Sequence, residues 1–167
     1  MKTLYLKQKI VSIKDKYTVS DENQETQYTI EGSFAKIPKR FVIMNQNEKE
    51  IAEITRNVFS LLPKFTVDIV GHAPITIKKH FRLFNSKYTI NSDEIEVSGQ
   101  WWDLDFEVFK SGELIGTVTP KMLSWADTYE LSIYDLNYEQ IIVALTVAID
   151  CANNERGILS EGFSFID

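Results

Sequence analysis

The run Ile141-Ile142-Val143-Ala144-Leu145-Thr146-Val147-Ala148-Ile149-Asp150-Cys151-Ala152 limits what this chain can fold into more than any other segment. Laid on a helix, its apolar side chains cover most of the circumference. Glu139, Thr146, Asp150 and Asn153 form one narrow polar stripe. A surface helix needs a wide polar face, so a helix of this kind is either buried or spans a membrane. About 16 residues reach only ~24 Å, which is short for a span. Asn137 and Gln140 have the spacing of a capping box, with Asp135 and Glu139 at the positive end of the dipole. Asn153, Asn154 and Gly157 supply stop signals. The expected helix is 137–153.

The rest of the chain reads as strands. Four segments share one pattern: Val11-Ser12-Ile13 before Tyr17-Thr18-Val19, Phe59-Ser60-Leu61 before Phe65-Thr66-Val67, Phe81-Arg82-Leu83 before Tyr88-Thr89-Ile90, and Leu123-Ser124-Trp125 before Tyr129-Glu130-Leu131. The second half of each alternates apolar and polar residues, the period of a strand. Turn-forming residues stand at Asp21-Glu22-Asn23, Asn45-Gln46-Asn47, Val70-Gly71-His72 and Lys110-Ser111-Gly112. Strands are expected near 3–13, 16–20, 26–35, 40–44, 50–58, 64–69, 74–83, 86–91, 94–100, 104–109, 113–119 and 128–133. In a chain of strands, an all-round apolar helix is buried most economically by wrapping the sheet around it. The expected fold is therefore mainly β, a closed antiparallel barrel of about twelve strands around a central C-terminal helix. The other ways to hide such a helix are the groove of a sandwich and a dimer interface. Residues 1–156 are expected to form this one domain and 157–167 a tail.

Short motifs in a matching order agree. Leu6-Lys7-Gln8-Lys9, Phe59-Ser60-Leu61, Trp125 to Leu131, and Ala148-Ile149-Asp150-Cys151 together resemble the LURP-one-related family, over roughly residues 4–155. That family belongs to the tubby C-terminal-like group, together with the phospholipid scramblases. The resemblance implies a twelve-stranded barrel around a hydrophobic helix. Tubby-like members bind phosphoinositide headgroups through basic residues. Scramblase-like members add a membrane segment and a calcium-binding stretch, and this sequence has no tail of span length.

Charge points in the same direction. The net charge of −6 divides into +6 over residues 1–90 and −12 over 91–167. If the halves face different ways the protein has a basic and an acidic side, whereas interleaved strands would largely cancel the difference. Two basic clusters stand out, Lys36, Lys39 and Arg40, and Lys78, Lys79 and Arg82. Lysine and arginine at strand ends grip phosphate through charge-assisted hydrogen bonds. An ordinary solvated surface is the bland reading of both. A sequence pI near 5.0 gives no overall basic footprint for nucleic acid.

Other candidates are weaker. Asp103, Asp105 and Glu107 would share one outward strand face, with Trp102, Leu104, Phe106 and Val108 inward, and a straight strand cannot close around a cation. Asp150 needs a partner inside the core, a hydroxyl or an indole N–H. Cys151 is the only cysteine and, with only His72 and His80 in the chain, supports neither a disulfide nor a metal set nor a Cys/His pair. Gly71, Gly99, Gly112 and Gly116 build no phosphate loop. No catalytic motif, cofactor or metal is expected. Lysines interrupt the first residues, which argues against a signal peptide. The expectation is a cytoplasmic, non-enzymatic binding domain, peripheral at a membrane with anionic lipid headgroups as ligand. The alternative is a protein–protein interaction or structural module.

Overall fold

Alternation of small pleated-surface residues with large apolar ones builds twelve strands and leaves one helix to fill the space between them. The computed structural model describes residues 1–9, 16–33, 40–57, 64–80, 87–92, 94–100, 103–121 and 128–161. The strands are β1 (Lys2–Lys9), β2 (Lys16–Asp21), β3 (Thr26–Ser33), β4 (Arg40–Asn45), β5 (Glu50–Asn57), β6 (Lys64–Ile69), β7 (Ile75–His80), β8 (Lys87–Asn91), β9 (Ile95–Gln100), β10 (Asp105–Lys110), β11 (Glu113–Pro120) and β12 (Thr128–Ile133). A 3-10 turn, Leu136–Tyr138, leads into α1 (Glu139–Glu161).

All strands belong to one sheet, ordered β8-β7-β6-β5-β4-β3-β2-β1-β12-β11-β10-β9. Every hydrogen-bonded neighbour is antiparallel. The sheet curls into a nearly closed barrel. Its two edges, β8 and β9, are joined by a short link in which Ser92 Oγ accepts from Glu94 N at 3.3 Å and Ile95 N at 3.1 Å. β6 shows the pattern that aims the wall inward: Phe65, Val67 and Ile69 are buried, while Thr66 and Asp68 face out. Each large apolar side chain so buried contributes roughly 1.5–3 kcal/mol.

Residues 141 to 152 of α1 are buried without interruption. At 3.6 residues per turn, such a run covers every direction about the axis, so the helix lies inside the barrel. Burial within one chain and one sheet excludes the sandwich groove and the dimer interface. The helix lies nearest β5, β6 and β12. Its polar stripe is met by long phenols from the opposite arc, Tyr17 of β2 and Tyr28 of β3.

Two expectations about the helix need correction. Asn137 does not cap α1: it lies inside a 3-10 turn capped by Asp135, whose Oδ1 accepts from Asn137 N at 3.0 Å, and the α-helix begins at Glu139. A shorter Asx geometry two residues upstream outcompetes the capping box. The helix also runs to Glu161, past Asn153, Asn154 and Gly157, so these residues do not stop it. Asp103 is corrected as well. Leu104 has φ of 54°, which breaks the chain direction, and β10 opens only at Asp105.

Candidate functional site

Antiparallel order sorts the connections. The β1–β2, β3–β4, β5–β6, β7–β8, β9–β10 and β11–β12 connections belong to one end of the barrel, here the far rim. The β2–β3, β4–β5, β6–β7, β8–β9 and β10–β11 turns belong to the other, together with the start of α1. The second halves of the four sequence repeats all open strands at the far rim, in β2, β6, β8 and β12. Their first halves lie outside the described residues.

The same sorting acts on charge. Arg40 opens β4, Lys64 opens β6, Lys87 opens β8 and Lys78 stands near the end of β7, all at the far rim. The described members of the two clusters, Arg40 and Lys78, therefore share one end, although 38 positions apart in sequence. Lys36, Lys39 and Arg82 lie outside the described residues. Lys79 lies in β7, paired with Tyr88. Arg40 is half-exposed and ion-paired with Glu53 of the neighbouring strand, so part of its charge is already satisfied.

Sequence reading missed Lys64. It sits directly across from Lys78 in the β6–β7 ladder. Phe65 and Ile77, the next cross-strand pair, point into the core, so both lysines are on the outer face and half-buried. The register continues the row on either side with Asn57 and Thr89, neither of them acidic. Like charges directly opposite on a ladder repel. The Lys64–Lys78 pair therefore places two ammonium groups side by side, which an anion between them would favour. Lys64 stands alone in the sequence, and only strand register brings it to Lys78.

The opposite arc carries the other sign. Residues 1–90 build β1–β8, a continuous run of sheet, and the acidic half builds β9–β12 and the helix, so the halves do not interleave. Asp105 and Glu107 are exposed and alternate with buried Phe106 and Val108, which leaves these two of the three expected carboxylates on an outward strand face. Nearby cations are partly engaged: Lys110 binds Glu94 and holds its carboxyl below the usual range, and Lys121 binds Glu130 while lying 5.9 Å over the Tyr5 ring.

Two carboxyl groups of the helix are paired to the wall, whereas buried Thr146 donates its Oγ1 hydroxyl to Ile142 O within the helix at 2.7 Å. Tyr17 Oη donates to Asp150 Oδ2 at 2.7 Å, the hydroxyl partner expected for that carboxylate. Cys151 Sγ lies 4.0 Å from the same hydroxyl. Glu139 accepts from Tyr28 Oη at 2.8 Å and from Lys2 Nζ at 2.7 Å, which ties the helix start to β3 and β1. Burial, reinforced by the Glu139 carboxylate, pushes the Tyr28 phenol upward. The His72 ring lies 6.3 Å from the Tyr138 ring, tilted by 41°, beside the helix start. Cys151 lies ~18 Å further along the axis, so no Cys/His pair forms between them. No group of His, Cys, Asp and Glu among the described residues is placed to hold a metal ion. No helix among them is long and apolar enough to cross a membrane. The recess over β2–β4 is lined by residues including Glu31, Met44 and Glu48, with no cation among the described residues of its lining, and does not suit phosphate.

The family model described as LURP-one-related matches residues 2–150. The chain belongs to the LURP-one-related family. A Bacillus subtilis (strain 168) relative, named as the uncharacterized protein YxjI, is 27% identical over 147 residues, 87% of this chain and 89% of its own. The X-ray structure of an Arabidopsis thaliana protein superposes with a TM-score of 0.56 at 13% identity, covering 90% of this chain and 92% of that one. That likeness supports the fold alone. This LURP-one-related barrel is the tubby-like architecture, with its helix filling the interior, so a ligand site has to be sought on the outside.

Proposed function

We propose that this domain is a non-enzymatic module that docks on anionic membrane surfaces through the far rim of the β4–β8 arc, with lipid phosphate groups as its ligand. One observation carries the reading: register places Lys64 opposite Lys78 on the outer wall, at the end where the Arg40 strand also begins. A like-charge pair costs stability in the free protein and becomes favourable beside a phosphate. The acidic β9–β12 arc would orient the domain by facing away from such a surface. The headgroup binding of tubby-like members points the same way. Cytoplasmic, peripheral placement follows from this reading, because anionic lipids concentrate in the cytoplasmic leaflet.

Co-sedimentation with vesicles of graded anionic lipid content tests it. Binding is expected to rise with anionic lipid and to fall between low and physiological salt. A protein that stays in the supernatant at both salt levels would refute the proposal.

A further inference from the structure

The large apolar side chains exposed among the described residues are Met1, Val70, Leu114, Tyr134 and Leu136, and all five belong to the end of the barrel where α1 begins. Scattered exposed apolar residues need no explanation, whereas a gathered set marks an interaction surface. Four of them, Leu114, Tyr134, Leu136 and Val70, lie along one connected path. Tyr134 N and Asp135 N both donate to Ile115 O, at 2.9 and 3.3 Å, which seats the link beside Leu114. The link then carries Leu136, 59% exposed, to Tyr138, whose ring meets His72 in the turn that bears Val70, also 59% exposed. The result is an apolar strip across the mouth from β11 to β6. It is held in place before any partner arrives: Asp135 caps Asn137 N, and Tyr138 N donates to Asp135 O at 3.1 Å. An ordered strip loses little entropy on binding.

The turns around the strip are acidic. Glu22, Glu25, Glu48, Glu50 and Glu113 are exposed there, with Asp135 in the strip itself, against Lys49 as the exposed lysine among the described residues of the same turns. We infer that this mouth is a docking surface for a short segment of a partner protein that carries apolar side chains flanked by lysine or arginine. The strip would take the apolar groups and the carboxylates would select the cationic flanks. The surface is separate from the far rim, so the inference does not depend on lipid binding.

Selection of a random displayed peptide library on the purified full chain tests it, with Val70→Ser/Leu136→Ser as the comparison protein. The peptides enriched should combine Lys or Arg with large apolar residues, bind more weakly as salt rises, and lose about ten-fold or more on the double variant. Vesicle binding should be unchanged by these substitutions. Glu48→Lys/Glu113→Lys, a second variant confined to exposed charges, should weaken the same peptides. The inference is overturned if no peptide is enriched, if the enriched peptides lack cationic residues, or if they bind both variants like the wild type. It is also overturned if sedimentation shows the wild type, and not Val70→Ser/Leu136→Ser, associating with itself, because the occupant is then a second copy.

Discussion

Asp150 illustrates what a single carboxylate demands inside a barrel. It is buried on a helix that has no open side, and the Tyr17 hydroxyl reaches it from β2. Removing that donor leaves the buried carboxyl group with one hydrogen bond fewer, which costs about 1–3 kcal/mol. Tyr17→Phe should therefore lower the urea midpoint accordingly. Asp150→Leu in the Tyr17→Phe background should cost less than it does alone; strict additivity in that double-mutant cycle would mean the pair is not coupled. Tyr28 makes a prediction about pH. Its phenol is pushed up in the folded state by burial and by Glu139. In the unfolded chain it ionises above about pH 10. Its contribution is thus complete below that pH and declines as pH rises past it, because only the unfolded state releases the proton. Tyr28→Phe should show a shallower alkaline loss of stability than wild type, measured by denaturation at pH steps above neutrality. At this scale the sequence showed that Asp150 needed a hydroxyl or indole partner. It could not show which one, because Tyr17 is 133 residues away.

At the scale of elements, close approach between helix and wall is a matter of volume. A Cβ at Gly116 would lie 2.5 Å from Ile142 Cδ1 and 2.8 Å from Ser132 O. β11 can lie against α1 only because that position has no side chain. Gly116→Ala should destabilise by about 1–3 kcal/mol through overpacking. Ile142→Val, which removes the nearer atom, should recover part of the loss; thermal melting of the single and double variants decides. Two hairpins repeat one turn design. Asp21 Oδ1 accepts from Asn23 N and Glu25 N, both at 2.9 Å, and Asn45 Oδ1 accepts from Asn47 N and Lys49 N at 3.0 and 3.1 Å. Each turn places a non-glycine residue at positive φ, Gln24 at 65° and Glu48 at 58°. Asn45→Ala removes the side-chain acceptor and should cost about 1 kcal/mol. All twelve strands were legible from alternation and turn residues. The cap was not, because Asp135 and Asn137 both suit a helix start and only the 3-10 turn between them separates the two.

For the whole molecule, the order of the sheet turns a charge gradient along the chain into a polarity in space. Basic residues 1–90 occupy β1–β8, the acidic half occupies β9–β12, and the alternating connections separate a lysine-bearing far rim from an acidic, apolar mouth. Composition revealed the imbalance, but its placement depended on strand order. The two basic clusters were legible as runs of Lys and Arg, whereas Lys64, which completes the rim, was invisible without register. The measurement that bears most directly on the proposed role compares the vesicle affinity of wild type, Lys64→Ala/Lys78→Ala and, at the opposite end, Lys49→Ala. A lysine beside an anionic surface contributes about 1 kcal/mol, so the rim double variant should bind anionic vesicles roughly 30-fold more weakly, with Lys49→Ala unchanged. Equal affinity for wild type and the rim variant, or equal weakening by Lys49→Ala, would contradict a lipid-docking far rim.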